Sequence, residues 1–211
     1  EYRHDYRLAL EGERLQRFQR EGASVSLSFA LTPGKYQVKT VLRESETGRI
    51  GVEREEIQVF PCSREAPCVS GLVLAESLLP RAGAPSKGPD SKRDYDPLVY
   101  GSSVVQPSAT RQFLRDRPLY VFFHAYNVAD PADPKRSPYR YRMTLFRDED
   151  LITQSNVLPL ETGFRHPLDG FLQTSKLSLA PLMPGTYRLE VEIFDAEGRA
   201  SASRSAAFQV R

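Results

Sequence analysis

The chain has no tryptophan, two cysteines, two methionines and three histidines. Each scarcity excludes something. Without Trp, the strongest stacking ring for a sugar face is missing. His4, His124 and His166 stand far apart, with no paired spacing of the kind zinc ligands need. The longest apolar runs, such as PLYVFF at 118–123, fall short of the roughly 20 residues that span a bilayer as a helix. An excess of one charge is also lacking. Lys and Arg number 29 against 27 Asp and Glu, interspersed, for a net charge of +2. That is the pattern of a solvated surface and argues against a nucleic-acid partner. No G-x-S-x-G, H-E-x-x-H or Gly-rich phosphate loop occurs. The expectation is a noncatalytic protein without cofactor or metal.

What is present is enough apolar material for a core, 40% hydrophobic residues over 211 positions, arranged with a period of two. Tyr187, Leu189, Val191 and Ile193 alternate with Arg188, Glu190, Glu192 and Phe194, which marks a half-buried strand. Val25, Leu27, Phe29 and Leu31 alternate with small residues in the same way, as do Tyr139, Tyr141, Met143 and Leu145 with their neighbours. LYVFFHAYN at 119–127 is apolar on both faces and suits a central strand covered on both sides. Helical periodicity is confined to GERLQRFQRE at 12–21. The fold class is all-β.

One phrase occurs twice: LTPGKYQV at 31–38 and LMPGTYRL at 182–189. Pro fixes φ near −65° and Gly accepts positive φ, so Pro-Gly makes a corner, and a Tyr follows two residues after the Gly. In immunoglobulin-type sandwiches a Tyr at such a corner tucks its ring into the core and bonds its OH to nearby backbone. Tyr36 and Tyr187 fit that role. The similarity continues: 34–59 aligns with 185–210, each a long strand, a Gly-Arg turn and a closing strand ending Gln-Val. The phrase thus marks the last hairpin of a sandwich, and the expected architecture is tandem immunoglobulin/fibronectin III-like β-sandwiches.

The two differ in size. Residues 61–211 hold strand candidates near 69–79, 98–106, 118–127, 139–147, 151–160, 172–179, 185–195 and 202–210, a complete sandwich. Residues 1–60 have room for about four, at 5–10, 23–31, 35–44 and 52–59. The first sandwich is therefore expected to be incomplete. Its uncovered apolar face of Val25, Leu27, Phe29, Tyr36 and Val38 would be completed by a protein partner or by an upstream domain of the same precursor; the start at Glu1, without Met or signal peptide, fits a processed product or a piece of something longer. The stretch 80–97, rich in Pro, Gly, Ser and charge, reads as a mobile loop within the second domain.

Cys62 and Cys68, in PCSREAPC, read as a small disulfide loop of an oxidising compartment, contributing about 2.4 kcal/mol on the chain-entropy estimate for roughly seven residues. Two free thiols or half a zinc site are the alternatives. Asp90, Asp94 and Asp96, with Asp130 and Asp133, are the best calcium candidates, against a default of solvated loops. His124 reads as a packed, hydrogen-bonded strand residue. The aromatic content raises a carbohydrate-binding alternative, with Tyr95, Tyr100 and Tyr126 as the rings expected at the surface.

LTPGKYQVKTVLRESETGRIG, SGLVLAESLL, RQFLRDRPLYVFFHAYN and the C-terminal LMPGTYRLEVEIFDAEGRASASRSAAFQV together resemble the C-terminal half of secreted bacterial von Willebrand factor A-related domain proteins. The resemblance implies an extracytoplasmic setting, secreted or periplasmic, and an adhesion or assembly role. It carries over no metal-site residue, because D-x-S-x-S does not occur here.

Overall fold

The computed structural model describes residues 11–13, 15–16, 29, 31–80, 98–100, 103–108, 110–133, 135–163, 165–166 and 170–211. Outside them lie the strand candidates 5–10 and most of 23–31, including Val25 and Leu27, the loop 81–97 with Asp90, Asp94, Tyr95 and Asp96, and the Tyr100 side chain. The chain divides into two compact units, Glu1–Pro61 and Cys62–Arg211. Their described residues are nearly all β.

In the first unit, β1 (Gly34–Arg43) and β2 (Ile50–Val59) form an antiparallel two-stranded sheet. Its ladder runs from Gly34↔Val59 to Arg43↔Ile50 without a register shift. The turn at 44–49 closes because Gly48 takes φ +71° and donates its N–H to the Glu44 carbonyl at 3.0 Å. Glu44 N–H in turn reaches Arg49 O at 2.9 Å, and the Thr47 hydroxyl donates to the Glu44 carboxylate. Residues 12, 13, 15 and 16 are helical.

The second unit holds two larger sheets. One contains β3 (Cys68–Val69), β4 (Val73–Pro80), β5 (Val99–Tyr100), β6 (Ser103–Pro107), β8 (Leu119–Tyr126), β12 (Arg165–His166) and β13 (Gly170–Leu177). Its order is β12-β13-β8-β4-β6-β5, with β3 also on β8. The other contains β7 (Gln112–Phe113), β9 (Arg140–Arg147), β10 (Asp150–Gln154), β11 (Leu158–Pro159), β14 (Gly185–Phe194) and β15 (Ala200–Val210). Its order is β10-β9-β14-β15-β7, with β11 also on β9. All described pairings are antiparallel except β7 on β15, where Gln112 and Phe113 run parallel to Gln209 and Val210.

The sheets share one core, which makes this unit sandwich-like. Leu119, Val121, Phe123 and Ala125 of β8 meet Tyr187, Leu189, Val191 and Ile193 of β14 and Phe208 and Val210 of β15 in a single buried cluster. The period-two pattern explains it: alternate side chains of each strand point to the same face. β8 is apolar on both faces because it is central. Its other face contributes Phe122 to a smaller cluster with Ala75, Val105 and Leu172.

The sequence-expected strand 151–160 is divided. β10 pairs with β9 only as far as Gln154↔Thr144, with a register shift between Leu151 and Thr153, and β11 resumes at Leu158↔Tyr141. Ser155 fills the break, donating its N–H to Met143 O at 2.8 Å and accepting Met143 N–H on Oγ at 3.0 Å.

Candidate functional site

The repeated phrase builds the same corner twice. The Tyr187 hydroxyl donates to Met183 O at 2.7 Å, and the Tyr36 hydroxyl donates to Thr32 O at 2.7 Å, both four residues back. Nine cross-strand pairs are in identical register, from Gly34↔Val59 and Gly185↔Val210 to Leu42↔Gly51 and Ile193↔Ala202. The hairpins then diverge. The first has a six-residue turn; the second has a five-residue turn, 195–199, with a register shift between Ile193 and Phe194 absorbing the sixth. The Pro-Gly corners also differ, since Gly185 has φ +154° while Gly34 is not a positive-φ residue.

Burial separates the two copies further. Tyr187 is 2% exposed, stacked on Phe208 with ring centroids 5.8 Å apart, and flanked by the Arg147 guanidinium. Tyr36 is half-buried. The inward face of β14 is closed throughout, whereas the matching positions in β1 include Val38 at 37% and Leu42 at 61% exposure. Both tyrosines make the corner bond, Tyr187 from a buried ring and Tyr36 from a half-buried one.

Partners on the strand edges follow the same division. In the second unit β14 is flanked by β9, from Arg188↔Phe146 to Phe194↔Arg140, and β15 by β7. The outer face of that pair is tiled by arginines over rings: Arg142 lies 4.8 Å from the Phe194 centroid and Arg188 lies 4.2 Å from that of Phe146. Arg142 also pairs with Glu192 at 2.9 Å and Arg188 with Glu190 at 2.6 Å. In the first unit, among the described residues, neither β1 nor β2 has a neighbour beyond the other. Lys35, Lys39 and Arg43 project from one face of β1 without an ion pair among the described residues.

Cys62 and Cys68 are joined in a disulfide with Cα atoms 5.7 Å apart. The Asn127 amide anchors the loop they close, donating to Ser63 O at 2.5 Å and Ala66 O at 3.0 Å. Asn127 sits at φ +57°, a left-handed conformation that Asn tolerates better than most residues. Sequence reasoning missed this anchor; an Asn at the end of a strand is the only local signal for it.

The remaining candidates do not converge. Asp130 and Asp133 cap their own loop, accepting the N–H groups of Ala132 at 2.8 Å and Lys135 at 3.1 Å. Among the described residues no three His, Cys, Asp or Glu side chains gather as metal ligands do. His124 is buried, its ring stacked on Tyr126 at 5.8 Å. Tyr126, expected at the surface, is half-buried, and its ring lies where a Cβ on Gly170 would stand, 2.5 Å away. Burial raises the pKa of its phenol. An open depression of about 390 Å³ is lined by Arg115, Asp116, Arg117, Pro118, Lys176, Ser178 and Ala180. Arg115 is committed there to the Ala180 carbonyl at 2.9 Å. No described helix is long and apolar enough to cross a membrane. No protein-family model and no curated protein matches this sequence.

Proposed function

We propose that the chain is a noncatalytic extracytoplasmic module that works by protein interaction, as a spacer or a structural subunit of a larger assembly. The observation that carries this reading is the contrast between two hairpins of one register, one flanked on both edges and the other, among the described residues, flanked on neither. An open edge with apolar side chains pairs with something in a working protein. The partner is another protein or an upstream domain of the same precursor, and it completes the first sandwich.

An immunoglobulin-like assignment supports the architecture. Taking β4, β8, β9 and β10 as A, B, C and C′, and β12 to β15 as D to G, the sheets contain the runs D-E-B-A, which β6 and β5 extend beyond A, and C′-C-F-G. β7 then adds to G in parallel, and the Tyr187 corner opens strand F. The first hairpin stands as the F-G pair of a second such sandwich. The disulfide fits an oxidising compartment, and so does the resemblance to von Willebrand factor A-related proteins.

Cross-linking of the native protein, read by mass spectrometry alongside a glycan array, tests the reading. A protein cross-linked to 34–59 and an empty array are expected. Specific glycan binding without a protein cross-link would favour the carbohydrate-binding alternative instead. On the same reading residues 1–60 expressed alone aggregate or stay unfolded, while 61–211 melt cooperatively as a monomer. A sharp melt from 1–60 would show a self-sufficient domain.

A further inference from the structure

Resting on that interaction reading, we infer that the outer edge of β1 is the docking site for an antiparallel β-strand that is apolar on one face and acidic on the other. Three observations converge on it. The molecule contains its own template, because the position equivalent to this edge, on β14, is occupied by β9 in antiparallel register. The same frame places a partner strand opposite Gln37 to Arg43.

The backbone is poised to receive it. Glu44 N–H donates to Arg49 O, and 44↔49 is the next rung of the β1–β2 ladder. Hydrogen-bonded rungs alternate in an antiparallel pair. The even-numbered residues of β1 therefore bond to β2, and Lys35, Gln37, Lys39, Val41 and Arg43 turn their N–H and C=O groups to the outer edge, where no strand pairs among the described residues. One edge strand of the second unit, β10, is blunted in comparison. β10 carries Leu151 and Ile152 at its surface, but its register shift breaks the regular ladder, a common device against strand addition. β1 has no such interruption over its ten pairs.

Charge selects the occupant. β1 carries Lys35, Lys39 and Arg43 and no acid, all on one face, while Tyr36, Val38 and Leu42 lie on the other. Like charges opposite one another oppose pairing, so β1 against β1 of a second copy is disfavoured. A strand with Asp or Glu opposite Lys39 and Arg43 is favoured. β9 itself would be a poor match: β14 has Glu190 and Glu192 where β1 has Lys39 and Val41, and Arg142 of β9 is the partner of Glu192. The two hairpins share a frame and differ in the charge they accept. Alternate apolar residues of the guest then fill the face of Val38 and Leu42 while its backbone supplies the hydrogen bonds, the usual division of labour in strand addition.

The test is amide NMR of the full chain titrated to millimolar concentration with the heptapeptide Glu-Val-Thr-Leu-Glu-Leu-Thr, against the same peptide with both Glu replaced by Lys. Shift changes centred on 35–43 are expected, with roughly tenfold preference for the acidic peptide from its two charge pairs. Lys39→Glu should weaken or reverse that preference. Val41→Pro removes an outward N–H without touching a β2 bond, and it should abolish binding of both peptides. No shifts with either peptide, shifts centred elsewhere, or wild-type preference for the basic peptide would overturn the assignment. A protein cross-linked outside 34–43 with silent titrations would leave the interaction reading standing and remove only this edge. Peptide binding in a protein whose native ligand proves to be a glycan would do the reverse.

Discussion

Gly34–Val59 and Gly185–Val210 are two versions of one hairpin set in different company. They share nine cross-strand pairs, a Gly-assisted turn and a tyrosine bonded to the carbonyl four residues behind it. One has β9 and β7 on its edges and the second sheet across its face; among the described residues the other has none of these. Local sequence thus suffices for turn, register and corner bond. Burial is decided by what packs alongside. Their outer charges diverge too, with acids of β14 paired to arginines and cations of β1 left unpaired among the described residues.

The sharpest way to break the comparison is to truncate matched positions. Ile193→Ala removes a fully buried side chain and should cost about 2–5 kcal/mol. Leu42→Ala, at the equivalent exposed position, should stay within about 0.5 kcal/mol. Denaturant midpoints measure both, and equal losses would mean that β1 is as enclosed as β14. A smaller difference is expected at the corners. Tyr187→Phe removes one buried-side hydrogen bond and should cost roughly 0.5–1.5 kcal/mol. Tyr36→Phe should cost less, because water satisfies the carbonyl left behind.

The smallest effect lies in the second turn, where Asp195 accepts the Arg199 N–H at 2.8 Å and the Arg199 side chain at 2.9 Å. The backbone bond from Arg199, opposed by partial desolvation and helped by the guanidinium, holds the Asp195 carboxyl below its ordinary 3.8. A depressed folded pKa stabilises the fold above the unfolded pKa, and that contribution is lost as pH falls through the folded one. The stability gap between wild type and Asp195→Asn should therefore be full at neutral pH and shrink below pH 3.8. A gap independent of pH would show that the carboxylate charge plays no part.

Much of this architecture was legible in the chain. Period-two alternation located β8, β9, β14 and both hairpins to within a residue or two, because a strand with one buried face must alternate and a central one need not. The unbroken β8 pattern announced its place between β13 and β4. What escaped depends on residues distant in sequence. The Gln173 side chain is 1% exposed and exchanges two hydrogen bonds of 2.8 Å with the backbone of Glu161, acting as a strand rung made from a side chain. Nothing at either position announces it. Asn127 on the disulfide loop and Ser155 in the gap between β10 and β11 are similar cases. For the candidate site, the repeat was readable. The chain also implied that the first sandwich is incomplete, but not which edge lacks a neighbour among the described residues, since that depends on what packs alongside.

Amide hydrogen exchange on the intact chain tests the central contrast most directly. Amides of β14 bond to β15 on one side and β9 on the other, so residues 187–193 should all exchange slowly. In β1 the amides of Lys35, Gln37, Lys39, Val41 and Arg43 should exchange rapidly, faster than those of Tyr36, Val38, Thr40 and Leu42, and should slow when a partner strand is added. Odd-numbered amides of β1 protected as strongly as those of β14 in the chain alone would contradict the account, because the edge would already be filled.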